Sequence, residues 1–277
     1  MTPSVQLCSG ASALAGGRRA RPALIPGVSP VEITVVLLAG LAAGGINAIV
    51  GSGSLVTFPV LLAVGFPAVT ANVSNTVGLV FGNVSAVWGY RRELRGQGRR
   101  IALMAIGTTA GAATGAVLLL VLPDGVFDAV VPLLILLACF LMARRPAPEQ
   151  TSRALTPGRL AILGGTAYGV GVYGGYFGAA QGVILLAALR LLLPDALQRL
   201  NGLKNVLVGV ANGVAAVGFV LFAHVAWDAA GLVAAGSIVG AALGARYGRR
   251  LPDDVLRAVV VVGGTLVAVV LVVRLVV

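Results

Sequence analysis

Charge is what this sequence has least of. Residues 33–90 contain no Asp, Glu, Lys or Arg, and neither do 101–123, 129–143, 160–189, 205–227, 229–245 and 258–273. Only 10% of the 277 residues are charged while 58% are hydrophobic, and the mean hydropathy is +1.00; soluble domains carry about 25% charged residues. A chain so composed cannot hide its apolar surface in one water-soluble core. The nine acids are scarcer still: Glu32, Glu93, Asp124, Asp128, Glu149, Asp195, Asp228, Asp253 and Asp254 all fall in loops or at segment ends. That placement argues against a carboxylate proton relay deep in a membrane. Cys8 and Cys139 have no metal-ligand or redox spacing, and the single histidine, His224, sits in a short loop. With no nucleophile and base pair, no metal cluster and no phosphate-binding loop, the sequence points to no enzyme, no cofactor and no metal site.

What is present is membrane-length hydrophobicity. A helix needs about 20 apolar residues to cross the hydrocarbon layer, so the run 33–90 holds more than one segment and divides at Gly65-Phe66-Pro67. The charge-free runs then predict an all-α polytopic protein of about eight segments, set in the cytoplasmic membrane. The net charge of +11 lies in short loops between apolar runs, a placement that fits membrane topology better than a nucleic-acid partner. Residues 1–30, rich in Gly, Ala, Ser and Pro around Arg18, Arg19 and Arg21, lack the order of a cleaved signal and read as a mobile tail.

The chain also repeats itself at an offset of 129 without a gap. Asn72 falls on Asn201, Val77 on Val206, Asn83 on Asn212, Ala86 on Ala215 and Gly53 on Gly182. Gly107, Gly111 and Gly115 fall on Gly236, Gly240 and Gly244, and Pro123-Asp124 on Pro252-Asp253. This predicts two membrane repeats, 31–145 and 160–277, joined by a basic linker, 146–159. Each has four segments: a long one broken by glycines (33–64 and 160–190), then 69–90, 101–121 and 126–143 in the first half and 200–221, 228–247 and 255–274 in the second. The glycines at four-residue spacing stack on one helical face, where they let a neighbouring backbone come close.

Each broken segment either crosses once with a bend or dips in and returns. If both cross, the Lys and Arg residues divide 13 to 7 between the two sides; if both re-enter, they divide 16 to 4. The positive-inside rule favours re-entry, although Arg18, Arg19 and Arg21 then fall on the minority side. Re-entry makes the halves inverted, the arrangement of many secondary transporters.

The breaks carry the candidate site. Asn47, Gly51, Ser52, Gly53 and Ser54 in one half, and Tyr176, Gln181 and Gly182 in the other, combine freed backbone with hydrogen-bonding side chains. Such backbone survives at membrane depth only where protein or a water-filled cavity satisfies it. Helices restarting at Ser54 and Val183 point their N-terminal amides at a bound anion; the alternative is a simple packing kink. After each break comes a polar stripe, Asn72, Asn75, Thr76 and Asn83, then Asn201, Lys204, Asn205 and Asn212. Their offsets place each set on one face, expected to look into the bundle. Lys204 either draws the substrate's negative charge or snorkels to the interface, five residues beyond Arg199.

At these residues the sequence resembles the TauE/SafE family of sulfite and organosulfonate exporters, over about 31–277. The likeness rests on the stretch from Gly45 to Gly53 running into Phe58-Pro59-Val60-Leu61-Leu62, on Ala71-Asn72-Val73-Ser74-Asn75, and on Asn201-Gly202-Leu203-Lys204-Asn205, which is similar to the family's Asn-x-x-Lys-Asn. The chain departs where a run of glycines is usual, with Gly51-Ser52-Gly53 and Ala180-Gln181-Gly182. The resemblance implies a transporter of small, sulfur-containing anions. Its expected partners are that anion and the lipid bilayer, and a homo-oligomer is compatible with it. An anion channel and a non-transporting scaffold are the rival readings, the scaffold having little reason to keep buried amide stripes.

Overall fold

In the computed structural model, residues 29–143 and 157–247 are described, and every element among them is a helix. In chain order these are α1 (Pro30–Ile49), α2 (Ser54–Val64), α3 (Ala68–Gly89), α4 (Gly98–Val121), α5 (Asp124–Ala143), α6 (Pro157–Tyr176), α7 (Gln181–Leu192), α8 (Leu197–Phe222) and α9 (Trp227–Tyr247). Residues 1–28 of the expected tail, most of the basic linker and the segment 255–274 lie outside the described residues, while Ser29 and Pro30, read as the end of the tail, begin α1.

Local sequence sets the helix ends. Ser29 accepts from the Glu32 amide at 3.2 Å and donates its own amide to Glu32 Oε2 at 2.9 Å. With Pro30 at the first helical position, this capping box starts α1. At the far end of α2, Gly65 takes φ +105°, and the amides of Gly65 and Phe66 return to Leu62 and Leu61, a Schellman closure that stops the helix ahead of Pro67.

By length and composition, α1, α4, α8 and α9 can each cross a membrane. Large apolar side chains face outward, Ile106 and Val117 on α4 and Val217 and Leu221 on α8. The amides of α3 and α8 are buried. A soluble protein has the opposite distribution, so this is a multi-pass membrane protein. Trp88, Trp227 and Tyr247 are exposed at helix ends, where amphipathic rings sit at headgroup level.

Small residues decide which helices touch. Gly40 of α1 lies on Val233 of α9, Gly44 on Ser237, and Gly45 on Gly240 and Gly244. On α3, Gly78 meets Val233, Gly82 meets Ser237 and Gly89 meets Ala245. The numbers rise together, so α1, α3 and α9 run parallel. Likewise Gly107, Gly111 and Gly115 of α4 lie on Gly164, Tyr168 and Val172 of α6. Gln97 and Ala116, before and within α4, meet Arg199 and Gly218 of α8, so α4, α6 and α8 also run parallel. The two sets are opposed, because α8 meets α3 in reverse order, Gly202 near Tyr90 and Gly209 near Asn83.

Since α1 and α3 run the same way, α2 must carry the chain back between them; since α6 and α8 run the same way, so must α7. The two broken hairpins therefore enter from opposite ends of the bundle. The glycine faces expected to permit close approach do so, and each half lays its first helix on the other half's helix: α1 on α9, α6 on α4. At Gly240 a Cβ would overlap the Leu41 carbonyl and lie 3.0 Å from the Gly45 amide, so Gly240→Leu should cost well over about 3 kcal/mol. The expected result is loss of monodisperse protein in detergent. Gly231→Ala on the same helix, with open space around it, should purify normally.

Candidate functional site

Two breaks interrupt the hairpins, at residues 50–53 and 177–180. The first restart is at Ser54, as expected; the second comes at Gln181, two residues before Val183. Ala180 accounts for the difference by adopting a left-handed backbone, φ +56°, two residues after Gly178 at φ +73°. That conformation costs a non-glycine residue about 1–2 kcal/mol.

The breaks touch each other. The Gly182 amide donates to the Gly51 carbonyl at 3.0 Å. The two α-carbons are so close that a Cβ on either would strike the other's main chain. Gly51 also holds φ +90°, which side-chain-bearing residues rarely adopt. The contact lies near mid-height, because the first break reaches Asn75 through Ser54 and Asn83 through Asn47. Both amides belong to the middle of α3.

Side chains from α3 and α8 hold the broken ends in a reciprocal way. Asn201 and Asn205 donate to the Ala48 carbonyl at 3.4 and 3.0 Å, and Lys204 Nζ to the carbonyls of Asn47 and Ala48 at 3.0 and 3.4 Å. Three residues of the second half thus satisfy the C-terminus of α1, whose last carbonyls have no partner within the helix. In return, Asn72 of α3 donates to the Tyr176 carbonyl at 3.0 Å, closing the end of α6. Asn47 Nδ2 donates to Asn83 Oδ1 at 2.6 Å while Asn47 Oδ1 accepts from the Gly53 amide at 3.5 Å. Asn75 donates to Ser54 Oγ at 3.1 Å and accepts from Thr57.

Lys204 is wholly buried, which removes the snorkelling alternative: its stem runs inward to α1 instead of out to the interface. It is the one buried Lys or Arg among the described residues. Neither ion pair among those residues involves it; both belong to Asp195, with Arg100 and Arg199 at 2.9 Å each. That cluster, with Gln97 donating to the Arg199 carbonyl at 3.1 Å and Arg199 to the Arg95 carbonyl at 3.2 Å, ties the two halves at one end of the bundle. Toward the other end, Phe58, Phe127, Phe177 and Tyr176 pack edge to face or tilted, with ring centres 5.2–6.4 Å apart.

The thirteen candidate residues are spread along the two breaks: Gly51, Ser52, Gly53, Ser54, Gln181 and Gly182 lie at or next to the crossing, with Asn47 and Asn75 bonded to it, Asn201, Lys204 and Asn205 lie at the end of α1, and Asn72 with Tyr176 lies at the end of α6. The amides of Gln181, Gly182 and Val183 at the start of α7 are already bonded, to Gly178, Gly51 and Ala180, so that helix end offers them to no anion. Buried polar atoms without a partner remain next to the crossing, Ser52 Oγ and both amide atoms of Gln181, and farther along the breaks, Asn83 Nδ2, Asn72 Oδ1 and Asn201 Oδ1. Sequence reasoning missed Thr57, which lies one helical turn from Ser54, and Tyr90, whose hydroxyl accepts from Asn201 at 2.9 Å. The i, i+3 spacing from Ser54 was the available signal for Thr57; Tyr90, at a helix end, carried none.

The sequence model of the family described as sulfite exporter TauE/SafE matches residues 36–271. The chain belongs to the TauE/SafE family. A probable membrane transporter protein of Haemophilus influenzae is 28% identical over 232 residues, covering 83% of this chain and 90% of the relative. The probable membrane transporter protein YfcA of Escherichia coli K12 is 30% identical over 230 residues, 81% of this chain and 82% of the relative. The probable membrane transporter protein ORF9 of a Sinorhizobium species is 26% identical over 234 residues, 83% and 88% of the two chains. No solved structure matches.

Proposed function

We propose that this TauE/SafE protein is a secondary transporter carrying small anions, sulfur-containing ones such as sulfite and sulfonates, across the cytoplasmic membrane by alternating access. The observation that carries the reading is Lys204: a buried cation with no acid against it, held beside two crossed helix breaks lined by unpartnered polar atoms. Burying a charge without a partner costs several kcal/mol, and a bound anion supplies the partner. The relatives, which are named probable membrane transporter proteins, support transport in general.

On this reading the chain is two inverted four-segment repeats, each opening with a re-entrant hairpin, and transport rocks one repeat against the other. The helix starts support it: 30, 54, 68 and 98 in the first half answer to 157, 181, 197 and 227 in the second. Arg91, Arg92, Arg95, Arg99, Arg100, Arg190 and Arg199 share the end that carries the Asp195 cluster, so that end faces the cytoplasm. The Asp195 cluster and the aromatic cluster then close the path on either side of the crossing.

Flux of sulfite, sulfoacetate, taurine and sulfate into liposomes holding the purified protein tests the reading. Saturable, counter-transport-stimulated movement of at least one anion is expected. Flux that neither saturates nor exchanges would make the protein a channel, and no flux of any of the four would remove the proposal.

A further inference from the structure

The unpartnered atoms at the crossing have a sense, donor or acceptor, and main-chain neighbours fix it. An amide's oxygen and nitrogen are told apart by what they bond. Tyr176 and Ala48 present carbonyls to Asn72 and Asn201, so each of these amides must turn its nitrogen to the carbonyl, and the atom left over is an oxygen. The Gly53 amide fixes Asn47 the other way, so Asn47 donates to Asn83 and the atom left on Asn83 is a nitrogen. Gln181, with neither amide atom bonded, offers one of each, and the Ser52 hydroxyl can serve as either. At the crossing Gln181 therefore presents an acceptor that only a donor can satisfy, while the leftover oxygens of Asn201, at the end of α1, and Asn72, at the end of α6, have the same sense.

A bare oxyanion brings acceptors alone. At the crossing it would leave the Gln181 oxygen buried and unpaired, which is unfavourable, and set it against its own negative charge. A second negative charge has no counterpart either, since Lys204 is the one buried cation among the described residues. We infer that the ligand of this crossing is a monoanion bearing its own hydrogen-bond donor, a hydroxyl or an acidic proton, which reaches the Gln181 oxygen. This rests on the anion-transport reading and narrows it. Gln181 is the discriminating residue, because its amide lies against Gly174, where any side chain would displace it, and makes no bond within the protein.

Two sulfonates of nearly equal size, 2-hydroxyethanesulfonate and ethanesulfonate, differ in one hydroxyl and separate the two ideas in the same liposomes. The hydroxyl-bearing anion should show a kcat/KM at least about tenfold higher, since a site built to bond a hydroxyl discriminates against the analogue lacking it. In Gln181→Leu the ratio should shrink to within about threefold while the melting temperature is kept, a pattern that a purely structural role for Gln181 does not produce. Equal or reversed rates in the unaltered protein, or sulfite flux that rises with pH as the dianion replaces the protonated monoanion, would overturn the inference and leave anion transport standing. Failure of every anion to move would remove both.

Discussion

Gly182→Ala should cripple the protein although it adds a single methyl group. The new Cβ would lie 2.5 Å from Gly51 Cα and 2.9 Å from the Gly51 carbonyl oxygen. Both are main-chain atoms, so no rotamer change can relieve the clash and the breaks must separate. Separation also loses the hydrogen bond between the Gly182 amide and the Gly51 carbonyl, whose groups are then stranded at membrane depth. Overpacking alone costs about 1–3 kcal/mol, and the stranded groups add a similar amount. The variant should melt well below the unaltered protein in detergent and carry anions at least about tenfold more slowly. Gly213→Ala on α8, with nothing within 4 Å, is the control and should match or exceed the parent, because alanine favours a helix over glycine by about 1 kcal/mol. A Gly182→Ala protein with parental melting and flux would mean that the two breaks do not meet.

That meeting is where reading the sequence stopped short. The absence of charge located the segments: the expected spans 69–90, 101–121, 200–221 and 228–247 became α3, α4, α8 and α9 with ends shifted by at most three residues. Hydrophobicity is a property of each segment by itself, so it survives without knowledge of the fold. The breaks were legible for the same reason, since glycines beside Ser and Asn weaken a helix wherever it lies. Position in the second break was less so, because the turn is completed by Ala180, a residue whose left-handed backbone no propensity would suggest.

Partners were harder. Four-residue spacing says which face of a helix is small but not what lies on it, so the exchange of first helices between halves, α1 onto α9 and α6 onto α4, had no signature. The polar stripes showed the same limit. Asn72, Asn75, Asn201 and Asn205 were expected to look inward and are buried, but what they hold are the carbonyls of Tyr176 and Ala48 and the hydroxyls of Ser54 and Thr57. A main-chain carbonyl is present at every residue and so leaves no mark in a sequence. For the same reason α7 was assigned free amides that the Gly51 carbonyl and the local turn already use.

Lys204→Met should separate stability from transport, and in an unusual direction. The substitution removes donors from the Asn47 carbonyl, a loss of about 1–3 kcal/mol for one stranded group, while Asn201 and Asn205 go on holding Ala48. Against that stands the removal of a fully buried amine with no acid beside it, whose desolvation as a cation costs several kcal/mol. Methionine fills a similar length with apolar atoms, so the variant should fold and melt within a few degrees of the parent or above it. Transport has no such compensation. An anion entering a low-dielectric site without the opposite charge forfeits several kcal/mol of attraction, and each 1.4 kcal/mol is about tenfold in affinity, so flux should fall by roughly a hundredfold or more. If Lys204 serves only to close the end of α1, the pattern reverses: the variant melts low, and the fraction that remains folded carries anions at the parental rate. Melting and flux measured on one preparation of Lys204→Met therefore distinguish a cation kept for a ligand from one kept for a helix end.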